Sequence, residues 1–284
     1  MSILISKFVN RGTNTKKEKD MKTNETKKSA TVYVVAGTKG GVGKSLISLI
    51  LSNLLQDQGR NFKIIEIDDN NDSLKFKNSS ILNSENAVSF KVDMKNDAIN
   101  DMFFDLMEDE TMDYIIDCGG GNDTKEVLKL LGDIPFDKKF LLPCSRVKKY
   151  IKNADETFEI INEPENTFYV LNQYFDIDKL EEEFLYFFGN EKLGIKPASK
   201  YFSEDKYFAV PFSNSFQIAE DEEQILLDLA SISQKLTKKQ AIDMFYEKAK
   251  KDRKIFNKLM PKYQNSCDGN ELFKILKQNF SKLF

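Results

Sequence analysis

Gly37-Thr38-Lys39-Gly40-Gly41-Val42-Gly43-Lys44-Ser45 decides the reading of this chain. The apolar run before it, Val32-Tyr33-Val34-Val35-Ala36, reads as a buried parallel strand. The run after it, Leu46-Ile47-Ser48-Leu49-Ile50-Leu51-Ser52-Asn53-Leu54-Leu55, has a helical pattern. Strand, glycine-rich turn, Lys-Ser and helix, in that order, is the setting of a phosphate-binding loop. The spacing G-x-x-x-x-G-K-[ST] ends on Gly43-Lys44-Ser45, with Thr38 in the first glycine place and Gly37 one residue too early. Small residues let the backbone wrap phosphates closely and turn its N–H groups inward. The helix N-terminus adds partial positive charge. Lys44 would reach the β- and γ-phosphates and Ser45 would ligate Mg²⁺. A glycine turn without a ligand is the bland alternative, and the flanking strand and helix weigh against it.

The second lysine, Lys39, sharpens the signal, because an ordinary phosphate loop has no need for it. The form K-G-G-x-G-K-[ST] resembles the deviant Walker A box of the ParA/MinD family of dimeric ATPases. The resemblance implies that Lys39 reaches the nucleotide of a partner subunit in an ATP-bound homodimer. It assigns ATP and Mg²⁺ as cofactors, and residues Lys39, Gly40, Gly41, Val42, Gly43, Lys44, Ser45 and Leu46 to the nucleotide. One departure is Leu46, where the family usually has a second hydroxyl near the α-phosphate.

Two acidic strand ends complete the resemblance. Phe62-Lys63-Ile64-Ile65-Glu66-Ile67 reads as a strand running into Asp68-Asp69-Asn70-Asn71-Asp72. Carboxylates at a strand's C-terminal end sit where open α/β sheets bind ligands. The family carries D-x-D here, usually followed by Pro-Gln, which this chain lacks. Without gaps from Lys44, Glu66 takes the first acidic place and Asp68 the second, tied to the attacking water. A one-step shift would make Asp68 the first acid and Asn70 the second, so Asp68 is acidic in either register. Lys39, Lys44 and Asp68 are therefore the catalytic candidates. Met112-Asp113-Tyr114-Ile115-Ile116-Asp117-Cys118-Gly119-Gly120-Gly121 resembles a Walker B segment, with Asp117 holding Mg²⁺ together with Ser45. Its glycines suit a γ-phosphate-sensing switch. Cys118 reads as a packing residue.

Farther along, Thr167-Phe168-Tyr169-Val170-Leu171-Asn172 reads as a strand whose terminal Asn172 resembles the family's adenine-reading position. A simple turn asparagine explains it equally well. Tyr207-Phe208-Ala209-Val210-Pro211-Phe212-Ser213 resembles the strand and loop that close around the base, which places Pro211 in the nucleotide set. A short edge strand is expected at residues 89–92 and another strand at 139–144. Helices are expected at 98–107, 147–161, 218–229, 238–259 and 270–284. The resemblance covers roughly residues 31–231.

Strands alternating with helices imply a doubly wound, mostly parallel sheet covered by helices on both faces, with a helical C-terminal extension. The chain is long enough for a full core. No apolar run is long enough to span a bilayer and no secretory signal is visible, so a soluble, cytoplasmic protein is expected. Cys118, Cys144 and Cys267 lack metal-ligand spacing, and the absence of histidine excludes a His-based triad or zinc site.

The net charge of −3 hides an asymmetry. Residues 1–29 carry 8 basic and 3 acidic side chains, and residues 235–284 carry 13 and 5. The body between them is strongly acidic. Three divisions follow: a basic N-terminal arm at 1–29, the ATPase domain at 30–234 and a basic helical extension at 235–284. The arm is too polar to fold alone, with Met21 an alternative start. Basic ends suggest contact with a polyanion, and solubility is the plainer alternative. Lys250, Arg253, Lys254 and Lys258 fall three or four apart within one expected helix and are the DNA-binding candidates, with a solvated face as the alternative.

The resemblance implies a role in segregating DNA, most often a plasmid. Nucleotide state would set dimerisation and non-specific, nucleoid-associated DNA binding, and a small DNA-bound adaptor would stimulate slow hydrolysis. Three other readings stand beside it: a relative in conjugative transfer, a nucleotide-dependent scaffold with negligible hydrolysis, and a MinD-like protein at the membrane. The membrane reading needs an amphipathic terminal helix, and residues 272–284 have suitable apolar residues and lysines. Packing on the core is the commoner origin of such a pattern, so DNA is preferred to membrane.

Overall fold

The computed structural model of the chain describes residues 30–68, 76–91, 95–132, 136–197, 199, 203, 205–250 and 252–284. The N-terminal arm, Asp69 to Asp72 and Val92 lie outside the described residues. Seven strands form one sheet: β1 (Thr31–Val35), β2 (Phe62–Ile67), β3 (Ala87–Phe90), β4 (Asp113–Cys118), β5 (Asp137–Cys144), β6 (Thr167–Tyr174) and β7 (Tyr207–Pro211). Their order is β3-β2-β4-β1-β5-β6-β7, and every pairing is parallel. The carboxyl ends of β2, β4 and β1 therefore stand side by side.

The strands are apolar on both sides, as a sheet covered twice requires. In β1, Val32 and Val34 face one core while Tyr33 and Val35 face the other. The first core is covered by α2 (Lys95–Glu108), α3 (Asn122–Gly132) and α4 (Lys148–Ile161), through residues such as Met102, Leu131 and Phe158. Two single turns, α5 (Leu180–Glu183) and α6 (Leu185–Phe188), add Phe184 and Phe187. The second core is covered by α1 (Lys44–Asp57), α7 (Asn214–Asp221), α8 (Leu226–Lys235) and the long α10 (Arg253–Asn279). A further helix, α9 (Lys238–Lys248), precedes α10.

The helical C-terminal half departs from the periodicity reading. The helix expected at 218–229 is two helices, α7 and α8, parted where Glu223 takes a left-handed φ of 53°. The helix expected at 238–259 breaks after Lys248. Lys250 has φ 50°, and the Asp252 carboxylate accepts from the Lys254 and Ile255 amides to start α10. Lys250 thus lies in a turn, and only Arg253, Lys254 and Lys258 share a helix. All four are exposed. Residues 270–284 do not start a helix of their own, because α10 runs on through Pro261. Helix α3 was not anticipated at all.

The core does not part at residue 234. Leu272, Phe273, Leu276, Phe280 and Leu283 join the same cluster as α1 and the sheet. Phe280 stacks on Phe208 of β7 at 4.9 Å, and Asn279 Nδ2 donates to Ala209 O at 2.7 Å. Lys139 Nζ donates to Leu283 O. The apolar side of the terminal segment is thus spent on the sheet. Among the described residues no helix is long and apolar enough to cross a membrane.

Phe280, the C-cap of α10, has no exposed surface, whereas Ile275 within that helix is 42% exposed. Phe280→Ala is expected to destabilise the protein by about 3–5 kcal/mol, as full burial of an aromatic ring requires. Ile275→Ala should stay within about 0.5 kcal/mol. Denaturant unfolding of the two variants measures both.

Candidate functional site

The loop from Gly37 to Gly43 joins β1 to α1, and its conformation depends on glycine at two points. Gly41 has φ 75° and Gly43, the N-cap of α1, has φ 94°. A Cβ on Gly43 would lie 2.0 Å from Asn172 Nδ2, so the loop is also closed against β6. Most of the loop's carbonyls are bonded within the chain. Gly37 O accepts from Thr124 Oγ1 at 3.2 Å, and Thr38 O from the Gly121 amide at 3.0 Å. Lys39 O accepts from Lys44 Nζ at 3.1 Å, and Val42 O from Asn172 Nδ2 at 3.1 Å. Among the described residues, none takes a hydrogen bond from the N–H groups of this loop. A backbone that spends its carbonyls elsewhere and keeps its amides free is built to receive an anion.

The glycines after β4 form the opposite wall. Gly119 N donates to Ile67 O at 2.6 Å, where a Cβ on Gly119 would approach that oxygen to 2.7 Å. A Cβ on Gly120 would lie 3.6 Å from Gly40 N. Thr124, in the first turn of α3, donates to Gly119 O as well as Gly37 O. Helix α3 thus ties the Asp117 strand end to the phosphate loop, a role the glycine run concealed in the sequence.

Between these walls lies a pocket of about 220 Å³, lined by Gly40, Lys44, Ser45, Glu66, Asp68 and Asp117 among others. Glu66 and Asp117 are opposite each other in the β2–β4 register, and both are 2% exposed. Ser89 Oγ donates to Glu66 Oε2 at 2.7 Å. Asp117 Oδ2 is buried and has no hydrogen-bond partner. Burial, first, pushes the Asp117 carboxyl up to about 7, with the charge of Glu66 adding to it; the Ser45 hydroxyl and Lys44 act the other way. Two walled carboxylates, an orphaned oxygen and the Ser45 hydroxyl are hard oxygen donors of the kind Mg²⁺ takes. The set fits that ion. Burial also pushes the Cys118 thiol up, so Cys118 packs and does not react.

The remaining expected residues are placed as follows. Lys44 is buried and points along its own loop, whereas Lys39 is exposed and its side chain bonds to no described residue. Asp68 is half-buried and lines the pocket. Leu46 lines both this pocket and a second cleft of about 690 Å³ that adjoins it. Asn172 and Pro211 do not line that cleft; their neighbours Gln173, Phe212 and Ser213 do. Phe212 and Ser213 belong to the stretch that resembles the closing strand and loop, whereas sequence reading missed Gln173, because only the β6–β7 pairing shows which side it faces. Lys250, Arg253, Lys254 and Lys258 belong to the α9–α10 corner and take no part in either cavity.

Several solved structures are similar. MinD from Pyrococcus horikoshii OT3, complexed with Mg-ADP, is 12% identical at a TM-score of 0.47, with 90% of this chain and 97% of that one covered. A Cyanothece McdA–ATP complex is 14% identical at 0.47, covering 83% of this chain and 97% of that one. A putative plasmid partition protein from Borrelia burgdorferi B31, bound to AMPPNP, is 14% identical at 0.43, covering 66% and 90%. No curated protein sequence matches the chain. The model of the CobQ/CobB/MinD/ParA nucleotide binding domain matches residues 33–278. With a loop that frees its amides, a lysine beneath it and a magnesium-type carboxylate set beside it, the chain belongs to the CobQ/CobB/MinD/ParA nucleotide-binding family.

Proposed function

We propose that the protein is a slow, Mg²⁺-dependent ATPase whose ATP-bound form is a homodimer that binds DNA without sequence preference and serves the segregation of DNA such as a plasmid. The observation that carries this reading is the division of labour between the two loop lysines. Lys44 Nζ is held under the loop by Lys39 O, where a bound phosphate chain would meet it. Lys39 is exposed on the loop's rim, so its ammonium is available to a nucleotide held by another subunit. A lysine with no use in its own loop and beside the phosphate pocket suits a contact in trans.

In this reading Lys44 and the loop amides bind and orient the β- and γ-phosphates. Ser45 and Asp117 would hold Mg²⁺, with Glu66 adding negative charge behind them; the ion supplies charge neutralisation on the phosphate oxygens. Asp68, at the mouth of the pocket, orients the attacking water. Most of the rate comes from positioning, which suits a switch timed by a small DNA-bound adaptor more than a metabolic enzyme. The C-terminal apolar face is committed to the sheet, which favours DNA over a membrane as the partner. Lys250, Arg253, Lys254 and Lys258 at the α9–α10 corner offer exposed positive charge without a base-reading module, so contacts go to phosphates. Dimerisation would bring two such corners to one DNA and raise avidity.

Three outcomes are expected. In nucleotide assays, Lys44→Ala should abolish ATP binding, and Asp68→Ala should bind ATP but slow phosphate release at least tenfold. Lys39→Ala should weaken the ATP-dependent dimer, seen by sedimentation, more than monomer affinity. An unchanged dimer in that variant removes the contact in trans.

The second concerns pH. Asp117 keeps its proton in the folded, metal-free protein up to about pH 7, against about 3.8 for an ordinary aspartate. Its folded form binds the proton more tightly than the unfolded form, so this group's stabilisation is complete below about pH 4. It is lost as pH rises through about 7, a change on the order of 4 kcal/mol. Without metal, Asp117→Asn should therefore gain stability relative to the parent between pH 4.5 and 8. A pH-independent difference in unfolding free energy would contradict the burial of this charge.

The third concerns DNA. Replacing Lys250, Arg253, Lys254 and Lys258 by Glu should lower ATP-dependent DNA retention more than tenfold and flatten its salt dependence, since fewer counterions are released. Retention with an unchanged salt slope in a folded variant would move the DNA surface elsewhere, first to Arg146, Lys148 and Lys149.

A further inference from the structure

A ligand whose phosphates lie in the loop must place the rest of itself in an adjoining space. The 690 Å³ cleft is that space among the described residues, because it shares Gly43, Ser45 and Leu46 with the phosphate pocket. Its lining includes no lysine or arginine, so it is not made for further phosphate. It presents apolar faces from Leu46, Phe212 and Phe216, and carboxamides from Gln173, Asn214 and Gln217. Apolar faces with a few hydrogen-bonding groups suit a neutral heterocycle.

The position that resembles a base-reading residue, Asn172, does not serve this cleft. Its side chain is 7% exposed, and its amide donates to Val42 O of the phosphate loop. The next residue does face the cleft. In the β6–β7 pairing Asn172 is opposite Val210 and Tyr174 opposite Pro211, so Gln173 is an extra residue on β6. Its φ of 66° is one that residues other than glycine rarely adopt. Asn172 and Tyr174 are buried on either side of it, while Gln173 is exposed, and its carboxamide bonds to no described residue.

The bulge is held in place. Arg146 Nη2 donates to Gln173 O at 2.8 Å. The same guanidinium sits 4.3 Å from the Phe175 ring centroid and 3.6 Å from the Glu183 carboxylate. Glu183 in turn accepts from the Phe175 and Asp176 amides at 2.8–3.0 Å. An unfavourable backbone conformation kept by a braced arginine, with a free carboxamide at a cleft's rim, is the form strain takes at binding sites.

We infer that Gln173 is the base-contacting residue: the β6 bulge holds its carboxamide against the edge of a nucleobase whose phosphates occupy the loop, and Asn172 braces the loop instead. This rests on the nucleotide-binding reading above. A carboxamide both donates and accepts, which matches the paired amine and ring nitrogen on a purine edge.

Calorimetry with ATP, ITP and inorganic tripolyphosphate on the full chain tests it. Gln173→Gly removes the side chain and suits φ 66°, so the bulge survives. It should lose about tenfold in ATP affinity, the scale of one lost hydrogen bond, with tripolyphosphate binding and thermal midpoint unchanged. Gln173→Glu keeps only an acceptor. On the base edge that carries the 6-substituent and N7, ATP offers it the N6 amine whereas ITP offers only the acceptors O6 and N7, so the variant should widen the ATP preference over ITP about tenfold. If Gln173→Gly keeps the parent's ratio of ATP to tripolyphosphate affinity, the inference is overturned. It is overturned too, with the phosphate loop reading intact, if the parent binds tripolyphosphate as tightly as ATP. ATP binding indifferent to Lys44→Ala would overturn the nucleotide reading and this inference together. Should the glycine variant fail to fold, the ATP-to-ITP ratio of Gln173→Glu decides.

Discussion

The backbone of the phosphate loop is held by its carbonyls. Thr124, Gly121, Lys44 and Asn172 take the oxygens of Gly37, Thr38, Lys39 and Val42, and they come from three places in the chain: the β4–α3 junction, the start of α1 and β6. A peptide group fixed by its oxygen has its N–H fixed as well, on the opposite side. The loop's shape is therefore set by bonds within the chain, and of the four donors only Lys44 is also assigned to the phosphates. Gly43 against Asn172 and Gly119 against Ile67 O show how little room this leaves. The sheet order follows from the same requirement. Only β2, β4 and β1 lying edge to edge bring Glu66, Asp117 and the loop within one pocket.

Those parts were readable in the sequence because each is a local constraint on the backbone. A glycine pattern between an apolar strand and a helix has few solutions, and β1, β2, β4, α1 and the placement of Lys44, Ser45, Asp68 and Asp117 followed from it. The parts that were not readable depend on a partner element. Gln173 looks like the residue after a strand; only its pairing with β7 makes it a bulge. The run at 238–259 keeps helical periodicity across Lys250, and nothing in that periodicity weighs the cap Asp252 offers to a second helix. The glycines at 119–121 read as a switch and hid α3, whose Thr124 fastens that switch to the loop. Pro261 argues locally against a continuous α10, yet packing of the helix on α8 and β7 outweighs the lost backbone bond.

The carboxylate pair and the loop are one electrostatic unit. Burying Asp117 beside Glu66 costs free energy that Lys44 and the Ser45 hydroxyl only partly offset, as the raised Asp117 pKa records. Lys39, Gly40 and Gly41 are exposed and the loop's amides donate to no described residue, so they stand open to an anion. A metal–triphosphate would suit both: its cation would meet the acids and its anion the amides. Neither half alone does so, since phosphate without a cation would face two carboxylates, and a cation without phosphate would face the loop's positive end. In the proposed function, Lys39 on the rim is the group that would meet a nucleotide held by another subunit. That contact would link the loop's geometry to assembly, and assembly to DNA at the exposed basic corner.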